Sequence, residues 1–300
     1  MTNSKRNKKI LKGLFVIGLM LFSIVPISAI GGETNPNLND SNLTDKISKY
    51  LSNEIKEIYD HSPLNNNKSK RDTGLISGES IQDAIDKASS GDVIKLDSGT
   101  YAGGIRVNKS NITIKPKDPK SIPIIEKGNN PTENPGFTIS DAENITIEGL
   151  TIKDFSSNSE GGGISIFNSS ANIINCTIKE NKASKDGGGI WIKNWYEEEP
   201  EKGEYFGKVI YFNKSVNIIG CNIHNNKVSE GTGGGIYITG RNTTTVINSS
   251  INNNTASSSG GGIYAEYSTI LNSNITNNKV SGVGGGITLG VIILLLVVIL

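Results

Sequence analysis

Cysteine, histidine, methionine and tryptophan are all scarce in this 300-residue chain, at two residues each. Two cysteines and two histidines are too few for a disulfide framework or for a metal site built from those residue types. Lysine and arginine (30 residues) nearly balance aspartate and glutamate (29 residues), so the formal net charge is +1. That balance argues against a polyanion-binding chain, and we expect no nucleic-acid partner. The chain also lacks a Gly-Lys-Ser/Thr phosphate loop, and we expect no cofactor.

Glycine is abundant, and it recurs in one short motif, Gly-Gly-Gly-Ile. The motif starts at residues 161, 187, 233, 260 and 284, so the steps between copies are 26, 46, 27 and 24 residues. An Ile-x-x-Asn motif precedes each later copy, at Ile178–Asn181, Ile223–Asn226, Ile251–Asn254 and Ile275–Asn278. Internal repeats of this period indicate a solenoid, a propeller or an array.

Short alternating segments follow each triple glycine, such as Ile190-Trp191-Ile192. Alternation rich in β-branched residues predicts strands, and Gly and Asn supply the left-handed turns between them. We therefore predict an all-β solenoid over residues 74–290, a single-stranded, right-handed parallel β-helix of about seven coils, with stacked Asn side chains forming a hydrogen-bonded ladder. The long step contains an insertion, residues 194–213, which must leave the coil as a loop or a hairpin.

The combination Ile-x-x-Asn-x-Ala/Val and Gly-Gly-Gly-Ile resembles the repeat of polymorphic-membrane-protein-like and adhesin-like surface proteins, including those of methanogenic archaea. These proteins belong to the wider pectin-lyase-like β-helix group. The resemblance covers roughly residues 78–290, although the family motif often has Ala at the third glycine and an aromatic residue where this chain has Ile before the Asn. It implies a β-helix at the cell surface and says little about activity.

The N-terminal third contains three predicted features before the first coil. Residues 1–31 combine a basic start, an apolar run and small residues, which predicts a secretory signal peptide, with an uncleaved signal anchor as the alternative. Residues 32–73 are a linker that contains one amphipathic helix over Ser41–Tyr59. Ser80 caps a second, short helix; this segment resembles the start of pectin-lyase-like β-helices, where a helix covers the open end of the first coil.

The C-terminal tail, residues 282–300, is strongly apolar and contains no charged residue. Nineteen residues are just enough to span a bilayer, since a spanning helix needs about 20. We predict a membrane anchor, and the alternative is a last strand followed by a hydrophobic cap. The abrupt apolar end also leaves open a purely structural, truncated protein.

Two carboxylates are candidates for a catalytic pair or a calcium site. Asp154 and Glu180 occupy matching positions in adjacent repeats, directly before the repeat Asn or its equivalent. Glycosidases use such pairs, but solvated turn residues are the plainer interpretation. Because the chain also lacks the polygalacturonase and Gly-Gly-x-Gly-x-Asp motifs, we predict no enzyme activity and no metal site.

The two cysteines also occupy matching positions. Cys176 and Cys221 should stack about 4.8 Å apart on adjacent coils, a distance that permits a disulfide. Their side chains would point in parallel, which suits the disulfide dihedral poorly. A column of small inward residues is the alternative.

An outward aromatic column is the strongest candidate for a binding site. If Ile190 and Ile192 point inward, Trp191 points outward, and the same register places Tyr237 and Tyr264 beside it. The insertion adds Trp195 and Tyr196. Aromatic platforms of this kind stack on sugar rings, and exposed aromatics mark binding surfaces. The alternative is cross-strand stacking covered by the insertion.

Asn-x-Ser/Thr motifs are frequent, which for a secreted chain predicts a glycosylated surface. The candidate acceptors are Asn108, Asn144, Asn168, Asn213, Asn242, Asn248 and Asn274.

Together these features predict a secreted or membrane-anchored, non-enzymatic surface protein, either an adhesin or an envelope structural component. Its expected partners are cell-surface glycans or envelope components, and the membrane through its terminal apolar segments. The alternative is a polysaccharide lyase or glycosidase of the pectin-lyase-like fold.

Overall fold

The computed structural model describes residues 71–75, 77–128, 133–198, 208–240, 244–291 and 294–295. The chain divides into two units between Asn66 and Asn67, and all described residues belong to the second unit. The predicted signal segment (1–31), the predicted helix Ser41–Tyr59 and Asn242 lie outside the described residues.

The described chain winds into stacked coils that cross four faces, named A to D in the order the chain visits them. All four faces are parallel sheets, in which each strand pairs with the equivalent strand of the next coil. Face A contains Asp72–Leu75, Val93–Leu96, Thr113–Pro116, Ile145–Glu148, Ala171–Ile174, Val216–Ile219, Thr244–Ile247, Ser268–Leu271 and Leu294–Leu295. Face B contains Thr100–Ala102, Ile124–Glu126, Thr151–Lys153, Thr177–Lys179, Asn222–His224, Ser250–Asn252 and Asn274–Thr276.

The other two faces follow the repeat asparagine and the triple glycine, respectively. Face C contains Ser156–Ser157, Lys182–Ala183, Lys227–Val228, Thr255–Ala256 and Lys279–Val280. Face D contains Ile105–Val107, Phe137–Ser140, Ile164–Phe167, Ile190–Lys193, Ile236–Thr239, Ile263–Glu266 and Ile287–Val291. Faces B and D each have seven strands among the described residues. The predicted right-handed parallel β-helix of about seven coils is confirmed.

The interior is a stack of aliphatic side chains, because every second strand residue points inward. On face B, Ile152, Ile178, Ile223 and Ile251 pair in register and are fully buried. Burying one such side chain contributes about 1.5–3 kcal/mol, and the repeat places one at the same point in each of these coils. The isoleucine of the repeat motif therefore stabilises the packing of consecutive coils.

The predicted asparagine ladder forms at the turn between faces B and C. Asn226 shows the pattern: its Nδ2 donates to Ile178 O at 2.9 Å and to Asn254 Oδ1 at 3.0 Å. Its Oδ1 accepts from the backbone N of Asn181 at 3.0 Å and from Asn181 Nδ2 at 3.1 Å. The amide ladder consists of Asn181, Asn226, Asn254 and Asn278. Each side chain satisfies backbone groups that the turn would otherwise leave buried without a partner.

The first coil is closed by a strand and a short helix. Helix α1 (Ile81–Lys87) begins at Ser80, whose side chain accepts from Asp83 N at 3.0 Å. Gln82 pairs with the backbone of Arg106 on the outermost described strand of face D, accepting from its N at 2.8 Å and donating to its O at 3.3 Å. One side chain thus substitutes for part of a missing neighbouring strand, which protects a sheet edge.

Face A starts earlier than the sequence indicates. Asp72–Leu75 pairs in parallel with Val93–Leu96, so Asp72 and Thr73 belong to a strand and not to the predicted linker. Leu75 is the one buried residue of this strand, which therefore shows no apolar alternation. Its carbonyl accepts from the buried Tyr101 hydroxyl at 2.9 Å.

The described part of the C-terminal tail is strand. Ile287–Val291 pairs with Ile263–Glu266, and Leu294–Leu295 pairs with Ser268–Leu271. These pairs correspond to the alternative for the tail, a last strand, and not to a helix that starts at Gly282. Among the residues that the structure describes, no helix has the length and apolarity needed to cross a membrane.

Candidate functional site

The predicted outward column lies on face D. Ser165 pairs with Trp191, Trp191 with Tyr237, Tyr237 with Tyr264, and Tyr264 with Thr288. All five are half-buried, whereas the isoleucines that flank Ser165, Trp191 and Tyr237 are buried in the interior. We call Trp191, Tyr237 and Tyr264 the aromatic stripe.

Tyr237 and Tyr264, the tyrosine pair, are stacked on each other. Their ring centroids lie 5.2 Å apart and their planes differ by 12°. The first glycine of each repeat brings the preceding turn against this column: a Cβ on Gly233, which has φ +68°, would lie 2.8 Å from the Tyr237 Cβ. A larger residue at that position would move the turn away from Tyr237. The repeat glycine therefore allows the turn to pack against the stripe.

One side of the tyrosine pair is lined by Thr239 and Glu266. Each follows its tyrosine by two residues, so it points outward on the same strand. Glu266 Oε2 accepts from Thr239 Oγ1 at 2.7 Å and from Gly240 N at 3.3 Å. Thr239 Oγ1 also accepts from Trp195 Nε1 at 3.2 Å. A chain of hydrogen bonds therefore fixes the Glu266 carboxylate beside the stripe.

The other side is lined by the turn that leads into the triple glycine. Asp186 Oδ1 accepts from Thr232 N at 2.8 Å and from Thr232 Oγ1 at 2.9 Å. Thr232 directly precedes Gly233, the glycine in contact with Tyr237. A second fixed carboxylate therefore lies on the opposite side of the stripe.

This environment raises the pKa values of the two tyrosine hydroxyls. Burial raises the pKa of Tyr237 well above its usual value, and Asp186, Tyr264 and Glu266 raise it further. Burial also raises the pKa of Tyr264, followed by the charges of Glu266 and Asp186. Both hydroxyls stay protonated at neutral pH and can donate hydrogen bonds to a ligand.

The insertion forms a hairpin, which is one of the two forms that the sequence predicted. Trp195–Glu197 and Val209–Tyr211 pair in antiparallel register, and the tip (199–207) lies outside the described residues. Lys193 Nζ lies 4.2 Å from the centre of the Trp195 ring. Trp195 thus lies beside the aromatic stripe, over the outward column that contains Lys193 and Thr239.

The second half of the hairpin is held by a different aromatic group. Tyr196 stacks on Phe212 with centroids 5.4 Å apart, and Phe212 meets Phe167 edge-on at 5.8 Å. Tyr196 therefore packs within the hairpin and is not aligned with the stripe. The predicted ligand-binding residues thus separate into the stripe and, next to it, the hairpin residues Trp195 and Tyr196.

Asp154 and Glu180 occupy stacked left-handed turns, with φ values of +62° and +60°. Each carboxylate pairs with the lysine before it, Asp154 with Lys153 at 2.9 Å and Glu180 with Lys179 at 3.2 Å. Hydrogen bonds with Asp154 and then Glu126 raise the pKa of Lys153. In the described part of the chain, no three His, Cys, Asp or Glu side chains form a group that could hold a metal ion.

The two cysteines are buried, stacked and free, so the structure contains no Cys176–Cys221 disulfide. They belong to the predicted column of inward residues, Leu150, Cys176, Cys221, Ser249 and Ser273, all of which are buried. Burial holds the pKa of the Cys176 thiol well above its usual range. Both cysteines therefore act as small core residues in this structure.

The candidate glycosylation sites differ in accessibility. Asn108, Asn144, Asn213, Asn248 and Asn274 are exposed. Asn168 is half-buried, and its Nδ2, the atom that would carry a glycan, donates to Asp141 Oδ1 at 2.7 Å. Asn168 is thus the least accessible of the described acceptors.

Sequence reasoning missed Glu266, Thr239 and Asp186. The first two could have been found by continuing the outward alternation two residues beyond each tyrosine. Asp186 could not, because its position depends on the turn geometry that brings it next to Thr232.

Two segments of the chain, residues 175–193 and 248–266, match the Chlamydia polymorphic membrane protein (Chlamydia_PMP) repeat. The first includes Asn181, the glycines 187–189 and Trp191, and the second includes Asn254, the glycines 260–262 and Tyr264. The chain therefore resembles repeat proteins of this type, as the sequence predicted.

A search of curated proteins found no match. Among solved structures, an alginate lyase from Paenibacillus sp. str. FPU-7 aligns with 71% of this chain and 98% of its own at 12% identity. The TM-score of that alignment is 0.30, which supports no conclusion about this chain.

Proposed function

We propose that this chain is a non-enzymatic, adhesin-like surface protein that binds glycans through the aromatic stripe on face D. The observation that carries the proposal is the tyrosine pair: two stacked, half-buried rings that point outward on adjacent coils of a rigid sheet. Stacked rings held in fixed positions present an apolar surface to solvent, and their hydroxyls supply donors at its edge. A sugar ring has the complementary surface, with an apolar face and a hydroxyl rim.

The proposed location at the cell surface rests on the repeat. The matching family takes its name from a polymorphic membrane protein, and a basic and apolar N-terminal segment suits export. Under this proposal, the partners are cell-surface glycans or envelope components, and the N-terminal apolar segment holds the protein at the membrane.

The proposed function is tested by screening the full-length protein against a glycan array. In Trp191→Ala/Tyr237→Ala, we expect binding to weaken about tenfold or more, because each aromatic contact contributes about 0.5–1.5 kcal/mol. Ser165→Ala is the matched control, since it occupies the same outward column without an aromatic ring. Equal binding by the double variant and the control would remove the stripe from the proposal.

The alternative, a polysaccharide lyase or glycosidase, is tested on the same preparation by a cleavage assay with and without calcium. The ion pairs of Asp154 and Glu180 support the non-enzymatic proposal, because each exposed carboxylate has the adjacent lysine as its partner, as expected of solvated turn residues. Turnover that is lost in Asp154→Ala or Glu180→Ala would replace the proposed function with the enzymatic one.

A further inference from the structure

The tyrosine pair lies between two fixed carboxylates. Glu266 is anchored on one side by Thr239 Oγ1 and Gly240 N, and Asp186 on the other side by Thr232. Both carboxylates act on the same hydroxyl, because each contributes to the raised pKa of Tyr237. A ligand stacked on the pair would therefore meet negative charge on both sides.

Within the described part of the chain, each carboxylate keeps one oxygen available. The hydrogen bonds of Glu266 use Oε2 and those of Asp186 use Oδ1. Glu266 Oε1 and Asp186 Oδ2 have no hydrogen-bond donor among the residues that the structure describes. A carboxylate oxygen only accepts hydrogen bonds, so these two atoms suit ligand hydroxyl or ammonium groups and oppose a ligand carboxylate.

Two lysines lie near the stripe. Lys193 Nζ lies over the Trp195 ring, and Lys185 lies 3.8 Å from the Glu160 carboxylate. The described part of the hairpin, residues 194–198 and 208–213, adds Glu197, Glu198 and Lys208. Arg241, which follows Gly240, lies outside the described residues. The described surroundings of the tyrosine pair are therefore acidic.

We infer that the aromatic stripe selects sugars without negative charge, and that Glu266 and Asp186 exclude uronic-acid polymers by repulsion while accepting hydrogen bonds from hydroxyl or ammonium groups. This inference rests on the proposed function and adds the ligand class to it. Like charges placed across a binding surface mainly suppress the wrong partners, so the carboxylates determine specificity more than affinity.

The test measures binding of the full-length protein to three groups of polysaccharide at low ionic strength. The groups are neutral glucans and mannans, the amine-bearing polymer chitosan, and the polyuronates alginate and polygalacturonate. We expect the polyuronates to bind at least about tenfold more weakly than the best neutral or amine-bearing polymer. We also expect that difference to shrink as salt is added, because salt screens exposed charges.

The deciding variant is Glu266→Gln, which keeps the side-chain shape and removes one charge. We expect polyuronate binding to rise about threefold or more relative to neutral glycans. Glu126→Gln is the control, because it removes the same charge from face B. Polyuronate binding that equals neutral binding and depends on Tyr237 would overturn this inference and leave the proposed function intact. If no polysaccharide binds, the proposed function and the inference are both wrong.

Discussion

Two turns of each coil differ in how closely their residues and hydrogen bonds repeat from one coil to the next. The turn from face B to face C is the same from coil to coil, since one buried asparagine repeats the same hydrogen bonds at Asn181, Asn226 and Asn254. The junction from face D to face A varies along the stack, and its first residues are Asp141, Asn168, Asn194, Gly240 and Tyr267. The hairpin enters at Asn194, in a junction where no single side chain repeats the same hydrogen bonds from coil to coil.

The comparison shows how a repeat protein accommodates a binding surface without losing its register. After the hairpin, Val216–Ile219 still pairs with Ala171–Ile174 in register. At the junction itself, Asn194 Oδ1 accepts from Ser169 N at 3.1 Å, while its buried Nδ2 has no partner in the described part of the chain. The constant turn therefore carries stability, and the variable junction admits the hairpin that lies beside the candidate site on face D.

The amide ladder should be the most sensitive point of the constant turn. Asn226→Ala removes the partners of Asn181 N, Ile178 O and two side-chain amides. We expect the free energy of unfolding to fall by about 3–5 kcal/mol, because each buried group left without a partner costs about 1–3 kcal/mol. Urea denaturation measures this loss. The control is Asn225→Gly, at an exposed position with φ +57°, which should change stability by less than about 0.5 kcal/mol. Similar losses in both variants would contradict a special role for the ladder.

The glycine repeat gives the next largest effect. A Cβ on Gly234 would lie 2.4 Å from Gly261 O and 2.6 Å from the carbonyl carbon of Thr255, so two coils would have to separate. We expect Gly234→Ala to lower the melting temperature and to cost about 2–3 kcal/mol. Gly285→Ala is the control at the matching position, because its Cβ would meet only Asn278 O, at 3.3 Å. An equal loss in both variants would show that coil contact is not the cause.

The variable junction should tolerate change better. Phe212→Ala removes the contacts of Phe212 with Phe167 and Tyr196. We expect a loss of about 1–2 kcal/mol in denaturant unfolding, with the far-ultraviolet circular dichroism of the β-helix unchanged. Val209→Ala, at an exposed hairpin residue, should have no measurable effect. A loss in Phe212→Ala as large as that in Asn226→Ala would mean that the hairpin also stabilises the coils.

The smallest effect concerns pH. Because the folded pKa of Tyr237 is raised, its stabilising contribution is fully present below the unfolded value of about 10 and is lost as pH rises through the folded value. We expect stability to fall above pH about 10, and less steeply in Tyr237→Phe. Glu266→Gln should also move the tyrosinate absorbance change at 295 nm to lower pH, whereas Glu126→Gln should not. The same titration in wild type and Glu266→Gln would show that the carboxylate does not act on the tyrosine pair.

Several features could be predicted from the sequence because the repeat determines them locally. The spacing of Ile, Asn and Gly predicted the parallel coils, the asparagine ladder and the outward column that contains Tyr237. Ser80 predicted the start of α1. The strand at Asp72 was missed because only Leu75 among its four residues is buried, so no pattern marks it. The sequence does not separate the two interpretations of the tail, because an apolar run looks the same whether it spans a membrane or pairs with a sheet edge.

The sequence by itself determined the coil, since each repeat carries its own turn residues and interior side chain, and identical neighbours can then pair only in register. Tertiary structure alone decided what surrounds the stripe. Asp186 and Glu266 belong to different coils, 80 residues apart in sequence, and they meet around Tyr237 only because coils stack at the spacing of a parallel sheet. Stacking also decided the state of the two cysteines, because neighbouring side chains in register lie parallel in the interior and here remain free thiols.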